Sequence, residues 1–329
     1  MKAIRYYAPE DVRVEDVPKP VAVEGEALIK VLYSGICGSD LHNYTLGMFM
    51  TYAPETMGHE FVGVIETAPE DSGFVPGDMV LANPSVFCHE CPSCAKGDFI
   101  HCENIGFIGE VRPGSDAEYV ALPADTLIKL KADVDPVQAG IIEPLTVAHH
   151  TCKKVMERGE GNAAVYGCGP IGLLVAYLLK NMYHLPKVVL IDMNENRVRQ
   201  AKEAGFEDVA TSIDAFPGEY GIAVDTTGAG PALNAEMAIL KPLGTLVIMS
   251  IFEKLPTLDA NMLVDKELKI IGATLYTHED MKEAAKIVES GEYDFRWIVT
   301  KIAKPEEAPE TFRDLREKRN ELKILFDFN

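Results

Sequence analysis

The sequence predicts an α/β chain in two parts: a compact, barrel-like β unit, then a doubly wound parallel sheet. Three observations carry this. The chain has 329 residues, more than the roughly 250–300 at which a single core stops growing, so two domains are expected. Up to about residue 130 the apolar runs are short and bounded by Gly, Pro and Asp. From about residue 140 strand-like and helix-like segments alternate.

Each element follows from its pattern. ALIKVLYSGI (27–36) alternates and is β-branched; FVGVIETA (61–68), GDMVLANP (77–84) and EYVALP (118–123) are further short strands. NAAVYGCGPIGLLVAYLLKNMY (162–183) reads as strand, glycine turn and apolar helix, KVVLID (187–192) as a buried strand, and NENRVRQAKEAGF (194–206) as a helix. IAVDTTG, GTLVIMS and LKIIGAT are strands separated by helices such as PALNAEMAIL. The tail turns mixed, with DMKEAAKIVESG helical, then WIVTKI, a helix, and ELKILFDFN a closing strand that can return to the first unit. No internal repeat is evident.

Composition narrows the function. A net charge of −20 argues against a nucleic-acid partner, which would need a basic patch, and fits a solubility role. No apolar run reaches the roughly 18 residues of a membrane span, and the N-terminus MKAIRYYAPEDVRVED has no signal-peptide core. A cytoplasmic protein with no membrane partner is expected. Of the seven cysteines, four crowd into Cys88–Cys102. In a reducing compartment such a cluster points to metal before disulfides.

Gly167, Cys168, Gly169, Pro170, Ile171 and Gly172 form G-x-G-x-x-G between a strand and a helix. Gly167 allows the tight turn, Gly169 lets backbone approach a pyrophosphate, and Gly172 lets the helix pack close. Pro170 and Ile171 open the helix whose N-terminus faces the phosphates. Asp192 ends the next strand, twenty residues past Gly172. A carboxylate there accepts from the ribose hydroxyls and repels a 2′-phosphate, so a Rossmann fold binding NAD is expected rather than one binding NADP. Arg197 can lie on the adenine edge or pair with a helix carboxylate.

Cys88, Cys91, Cys94 and Cys102 are spaced C-x2-C-x2-C-x7-C, with Pro92, Gly97 and Asp98 as turn residues. Four thiolates close a tetrahedral shell, which reads as a structural zinc. An iron–sulfur cluster and two disulfides are the alternatives. His89 and His101 read as loop surface. A second set is spread along the chain: Cys37 in GICGSDLH, His59 and Glu60 in GHEFVGVIE, and Glu143 in IIEPLTVAHH. A lone Cys in an apolar strand is usually core. Jointly, a thiolate, an imidazole and a carboxylate make a plausible open zinc shell.

These segments, in this order, resemble the zinc-containing medium-chain dehydrogenases. The closest likeness is to the polyol branch that includes sorbitol, butanediol and sugar-acid dehydrogenases. The resemblance spans most of residues 30–230. It implies a GroES-like β-barrel catalytic domain of residues 1–143 and 280–329, and a Rossmann NAD-binding domain of residues 144–279. It implies that Cys37 and His59 bind catalytic zinc, with Glu60 or Glu143 completing the shell or exchanging there. Ser39 and His42 stand where the family places its proton relay, and Asp40 where a carboxylate orients His59. The metal would acidify an alcohol and a hydride would pass to NAD.

The implied activity is hydride transfer from a secondary alcohol, a polyol or vicinal diol, to NAD. The alternatives are a sugar-acid (gulonate, galactonate or idonate) 5-dehydrogenase, a threonine dehydrogenase or, in another class, a non-enzymatic zinc- and NAD-binding regulator. The chain departs from the family at Gly114-Ser115-Asp116, a loop that tolerates the change but is expected to take a different shape near the substrate, and at Asn43-Tyr44 and Thr274-Leu275-Tyr276, which lie near the expected substrate pocket and speak against sorbitol itself. Arg112 is a candidate cation for an anionic substrate or a solvated side chain. A homodimer or homotetramer is implied, and GTLVIMSIF fits either a sheet edge continuing into a partner or an ordinary buried strand.

Overall fold

The computed structural model describes residues 1–318 and 320–329. The chain forms two compact units, one of Met1–Pro144 with Thr277–Asn329, the other of Leu145–Tyr276.

In the first unit the long strand Glu26–Gly35 is the hub. Its inward residues Ala27, Ile29 and Val31 are wholly buried, as alternation predicts. It pairs antiparallel with Glu60–Thr67, Tyr119–Pro123 and the C-terminal strand Lys323–Asp327. Met79–Ala82 and Leu127–Lys129 extend the seven-stranded sheet on one side, and Val299–Ala303 on the other. A three-stranded sheet of Asp11–Asp16, Lys2–Ala8 and Glu55–Thr56 stands beside it. The core between them joins Ile4, Tyr6, Ile29, Phe61 and Ile65 to Phe312 and Phe326 of the C-terminal segment. The closing strand is thus a structural member of the first unit, and Leu325 faces Gly35 in the register.

Cys37 does not lie in a strand. The strand ends at Gly35, and Cys37 is the N-cap of the helix Gly38–Leu46. Asp40 closes this cap by accepting from the Cys37 N–H at 2.8 Å. Gly47, at φ +62°, ends the helix.

The second unit is a six-stranded, wholly parallel sheet. Its order is Val209–Ala210, Val188–Ile191, Ala163–Tyr166, Tyr220–Asp225, Leu240–Ile248, Lys269–Gly272. Numbered by sequence this is 3-2-1-4-5-6, the doubly wound dinucleotide order. The central strands are buried along their whole length, as expected where helices cover both faces. Leu240–Ile248 is paired on both sides, so GTLVIMSIF is an interior strand. The edge on that side is Lys269–Gly272, half exposed along its length, and Val209–Ala210 is the other edge. Among the described residues no helix is long and apolar enough to cross a membrane.

Candidate active site

Two segments of the first unit meet at one point. Cys37 caps its helix, His59 precedes the strand Glu60–Thr67, and Glu60 opens it. One ligand atom from each lies within 4.8 Å of the other two. Gly35 and Glu60 face each other in the sheet. A Cβ at position 35 would stand 2.6 Å from Glu60 Oε2, so only glycine leaves room for that carboxylate.

Charge crowds around the cluster. Burial and Glu60 push the Cys37 thiol up, and His59 opposes them. Burial works against a charged His59, yet Asp40, Cys37 and Glu143 together hold it well above the ordinary imidazole range. Its Nδ1 is buried with no hydrogen-bond partner, 3.8 Å from Asp40 Oδ1. Asp40 therefore stands beside the imidazole, but its hydrogen bond goes to the Cys37 backbone. Thiolate, imidazole and carboxylate together fit a zinc ion, and an imidazole nitrogen that needs a partner fits with it.

Glu143, in the first turn of the helix Ile142–Arg158, is buried. It does not belong to the 4.8 Å set, but its charge reaches His59 and Lys323. Ser39 and His42, both half-buried, lie three residues apart on the helix that Cys37 caps, hence on one face.

Sequence reasoning missed Lys323. Its Nζ, on the returning C-terminal strand, donates to Glu60 Oε2 at 2.5 Å and to the Ile36 carbonyl at 2.8 Å. The signal was a lysine opening a strand whose neighbours Ile324, Leu325 and Phe326 are all apolar, because a lysine there must be paired. Glu110 was missed too. It is buried, bonded weakly to Asn43 Nδ2 at 3.4 Å, and burial pushes its carboxyl up to about 7.

The departure at Ser115-Asp116 is wholly buried. Ser34 Oγ donates to Asp116 Oδ1 at 2.6 Å and lies 2.9 Å from Ser115 Oγ. These residues brace the sheet behind Gly58 and His59, instead of facing a substrate. Arg112 is spent on Glu26 at 2.8 Å and on the Ala121 carbonyl at 3.0 Å.

The four cysteines of the loop also bring their sulfurs within 4.8 Å of one another. Cys88 Sγ lies 3.4 Å from Cys102 Sγ and 4.0 Å from Cys94 Sγ. A tetrahedron with zinc–sulfur bonds of about 2.3 Å has edges of about 3.8 Å. All four are free, so the disulfide alternative falls. Backbone N–H groups of Glu90 and Cys91 bring Cys88 down to about 6, and burial pushes Cys94 up to about 12. His89 and His101 are exposed, and His101 bonds to Asp98 at 2.8 Å.

In the second unit, Gly167 sits at φ +106°, a backbone suited to glycine. A Cβ at Gly172 would lie 1.9 Å from the Gly167 carbonyl, so glycine is required for the helix to pack. A Cβ at Gly169 would meet nothing within 4 Å, so the turn is open at the position expected to approach a pyrophosphate. Gly169 caps the helix Pro170–Asn181 without any side-chain bond, and Pro170 and Ile171 form its first turn. Asp192 is held by the Cys168 N–H at 2.8 Å and the Asn194 N–H at 2.9 Å, which aim its carboxylate beside the turn. Arg197 reaches Gln200 at 3.3 Å, a helix neighbour that is not a carboxylate.

Comparison with known proteins agrees with both units. Residues 23–132 match the alcohol dehydrogenase GroES-like domain, and residues 170–290 match the zinc-binding dehydrogenase family. The chain is 31% identical to 2-dehydro-3-deoxy-L-galactonate 5-dehydrogenase of Pseudoalteromonas atlantica, over 93% of this chain and 92% of that protein. It superposes on the crystal structure of 2R,3R-butanediol dehydrogenase from Bacillus subtilis with a TM-score of 0.89, at 29% identity, covering 100% of this chain and 99% of the other. It superposes with a TM-score of 0.90 on an alcohol dehydrogenase from Escherichia coli CFT073 complexed with NADH, at 25% identity and 99% of each chain. The chain belongs to the zinc-binding alcohol dehydrogenases with a GroES-like domain, a family of oxidoreductases that use zinc and a nicotinamide dinucleotide.

Proposed function

We propose that this enzyme oxidises the secondary alcohol of a small polyol or vicinal diol with NAD. The observation that carries the reading is the compact set of Cys37, His59 and Glu60 in the unit matching the GroES-like domain. Zinc held there would act as a Lewis acid toward an alcohol oxygen, and bound NAD would be the hydride acceptor. Cys37 and His59 are the fixed ligands, and Glu60 and Glu143 are the two carboxylates available to complete the shell. Ser39 and His42 carry the alcohol proton outward along their helix face. Cys88, Cys91, Cys94 and Cys102 hold the structural zinc. Gly167, Gly169, Pro170, Ile171 and Gly172 receive the pyrophosphate, and Asp192 receives the adenosine ribose. Arg197 flanks it.

The substrate reading favours a neutral alcohol. Glu110 and Asp40 lie within electrostatic reach of His59. Arg112, the cation a sugar acid would need, is committed to Glu26. A sugar-acid 5-dehydrogenase is the second reading, favoured by the relative in Pseudoalteromonas. In this reading the protein works in the cytoplasm as a homodimer or homotetramer, with Lys269–Gly272 as the sheet edge open to a partner. The test is initial rates of NAD reduction with 2,3-butanediol, sorbitol, xylitol, L-gulonate, L-idonate and L-threonine. The reading expects a preference for a diol or polyol that a chelator abolishes. A preference for L-gulonate or L-idonate would move the assignment to the sugar acids. No rate on any of them with zinc bound would sink it.

A further inference from the structure

Glu110 is a buried carboxyl with little to hold it. It is 8% exposed, and among the described residues its one side-chain hydrogen bond is the 3.4 Å contact with Asn43 Nδ2. That is longer than the roughly 2.7–3.2 Å of an ordinary N–H···O bond. Arg112, two residues along the chain, is held by Glu26 and the Ala121 carbonyl. Lys323 is held by Glu60. A carboxyl that has given up water for one loose bond calls for a further partner.

The backbone places this carboxyl beside His59. Gly109, at φ +85°, runs so close to Gly58 that a Cβ there would stand 2.8 Å from both its N and its O. The turn 107–110 is thereby pressed onto the segment that leads into His59. Phe107 sets its ring edge-to-face with the imidazole, the centroids 5.6 Å apart. The Glu110 N–H donates to the Phe107 carbonyl at 3.1 Å, and the Glu110 carbonyl accepts from the Thr51 N–H at 3.2 Å. Asn43 is fixed from the other side. Its Oδ1 accepts from the Phe49 N–H at 2.9 Å, which turns Nδ2 toward Glu110. Asn43 follows Asp40 by three residues on the helix that Cys37 caps. The charges of His59 and Asp40 both reach Glu110.

We propose that Glu110 binds a second hydroxyl of the substrate while the reacting hydroxyl lies at Cys37, His59 and Glu60, and that it selects diols and polyols over simple alcohols and over sugar acids. This rests on the reading of those three residues as the metal site. A hydroxyl suits the place. Its hydrogen gives the carboxyl the short bond that Asn43 does not supply, and it brings no charge to be buried. A simple alcohol leaves Glu110 as loosely bonded as before, and a site built to hold a hydroxyl rejects the analogue that lacks it. A substrate carboxylate there would meet Glu110 and Asp40, with Arg112 and Lys323 both committed elsewhere.

The test compares kcat/KM for 2,3-butanediol and 2-butanol, which differ by one hydroxyl, in the parent enzyme and in Glu110→Leu. Binding of each alcohol is read separately, from its effect on the fluorescence of the enzyme–NADH complex. The parent is expected to prefer the diol by about 10–100-fold. Glu110→Leu should lose most of that factor in both kcat/KM and diol binding, while 2-butanol changes by less than about threefold. Glu110→Gln keeps an acceptor oxygen without the charge. It should retain more of the preference than Glu110→Leu and should admit L-gulonate better than the parent does. Equal losses on both alcohols in Glu110→Leu overturn the proposal, because Glu110 would then act as a field at His59 and not on a hydroxyl. An unchanged diol preference overturns it too, as does a parent enzyme that favours L-gulonate over the diol. Should Glu110→Leu not fold, Glu110→Asp decides. Its carboxyl is drawn back by one methylene, which should cost the diol about tenfold and spare 2-butanol; equal effects on the two count against the subsite. If the zinc-loaded parent oxidises neither alcohol nor any polyol, the metal-site reading itself fails. A parent that oxidises both alcohols equally well sinks only the hydroxyl subsite.

Discussion

The four-cysteine loop and the Cys37–His59–Glu60 cluster gather their donor atoms equally tightly, within 4.8 Å in each case, but they are built in opposite ways. The loop takes all its ligands from Cys88–Cys102 and orders them locally. The Cys88 N–H points at Cys102 Sγ at 3.4 Å and the Cys94 N–H at Cys91 Sγ at 3.5 Å. The cluster takes its members from a helix cap, a loop, a strand start and, through Lys323, a strand 263 residues further along the chain than Glu60. Four identical ligands saturate a tetrahedral ion and leave it inert. A mixed set of three ligands leaves a position open. On the proposed reading the first arrangement stabilises a loop and the second supports chemistry, and the second exists only once the sheet has closed.

The largest expected effect breaks this comparison or keeps it. Cys37→Ser should lower kcat by about 10³-fold or more, since it removes a ligand from the site that polarises the alcohol, while NAD binding by fluorescence titration stays near normal. Cys91→Ser should do the reverse. Turnover of freshly prepared protein should fall by less than about tenfold, while the melting temperature drops by about 5 °C or more and protease cuts within 88–102. Equal losses of turnover from the two substitutions would show that both sites serve the chemistry.

Metal removal sharpens the same contrast. A chelator should extract one zinc per chain quickly, together with activity, and the second slowly, together with folded structure. Release of both at one rate, followed by metal analysis and activity on the same samples, would contradict the division into an open and a closed site.

The contrast also explains what the sequence revealed. Contiguous sites are legible as spacing. The interval between cysteines, or from Gly172 to Asp192, is itself the geometry, because one turn or one strand–helix unit spans it. The scattered cluster was legible only as residue types in suggestive surroundings. Cys37 was legible as a candidate ligand only by its residue type and its setting in GICGSDLH, and its place as the cap of the helix Gly38–Leu46 appears only in the fold. The choice between Glu60 and Glu143 stayed open because it depends on side-chain reach across the fold. Lys323 and Glu110 were invisible as site residues, since tertiary packing alone brings them there. The parallel sheet of the second unit followed from alternation, but its strand order did not, and GTLVIMSIF could not be placed at centre or edge until Lys269–Gly272 was seen outside it.

A contiguous site should fail locally and by degree. Asp192→Ala removes a carboxylate placed to accept from ribose hydroxyls. The KM for NAD should rise by about 10–100-fold, with discrimination against NADP falling in parallel. Asp192→Asn keeps one of the two acceptor oxygens that hold the Cys168 and Asn194 N–H groups. It should lose the discrimination while keeping more of the loop order. If both variants keep full preference for NAD over NADP, selectivity does not reside at Asp192.

Glu236 gives the smallest effect and sharpens the rule that a buried charge needs a partner. Lys323 and Glu60 are both buried and satisfied by each other. Glu236 is wholly buried, and neither of its carboxylate oxygens has a hydrogen-bond partner. Burial, with Asp225 adding its charge and a contact too loose to count as a full hydrogen bond, pushes Glu236 up to about 9. The folded chain therefore keeps a proton that the unfolded chain gives up near pH 4.5. The stability this proton supports is whole below that pH and is lost as pH rises toward 9. Glu110 at about 7 and Asp116 at about 8 act in the same direction, so the parent protein should weaken steadily on the alkaline side. Glu236→Gln mimics the neutral acid and has no proton to lose. Between pH 6 and pH 8 it should lose about 2 kcal/mol less stability than the parent in denaturant unfolding. Parallel profiles for the two proteins would mean that Glu236 ionises freely in the fold, and that its burial is relieved by a contact the side-chain packing does not supply.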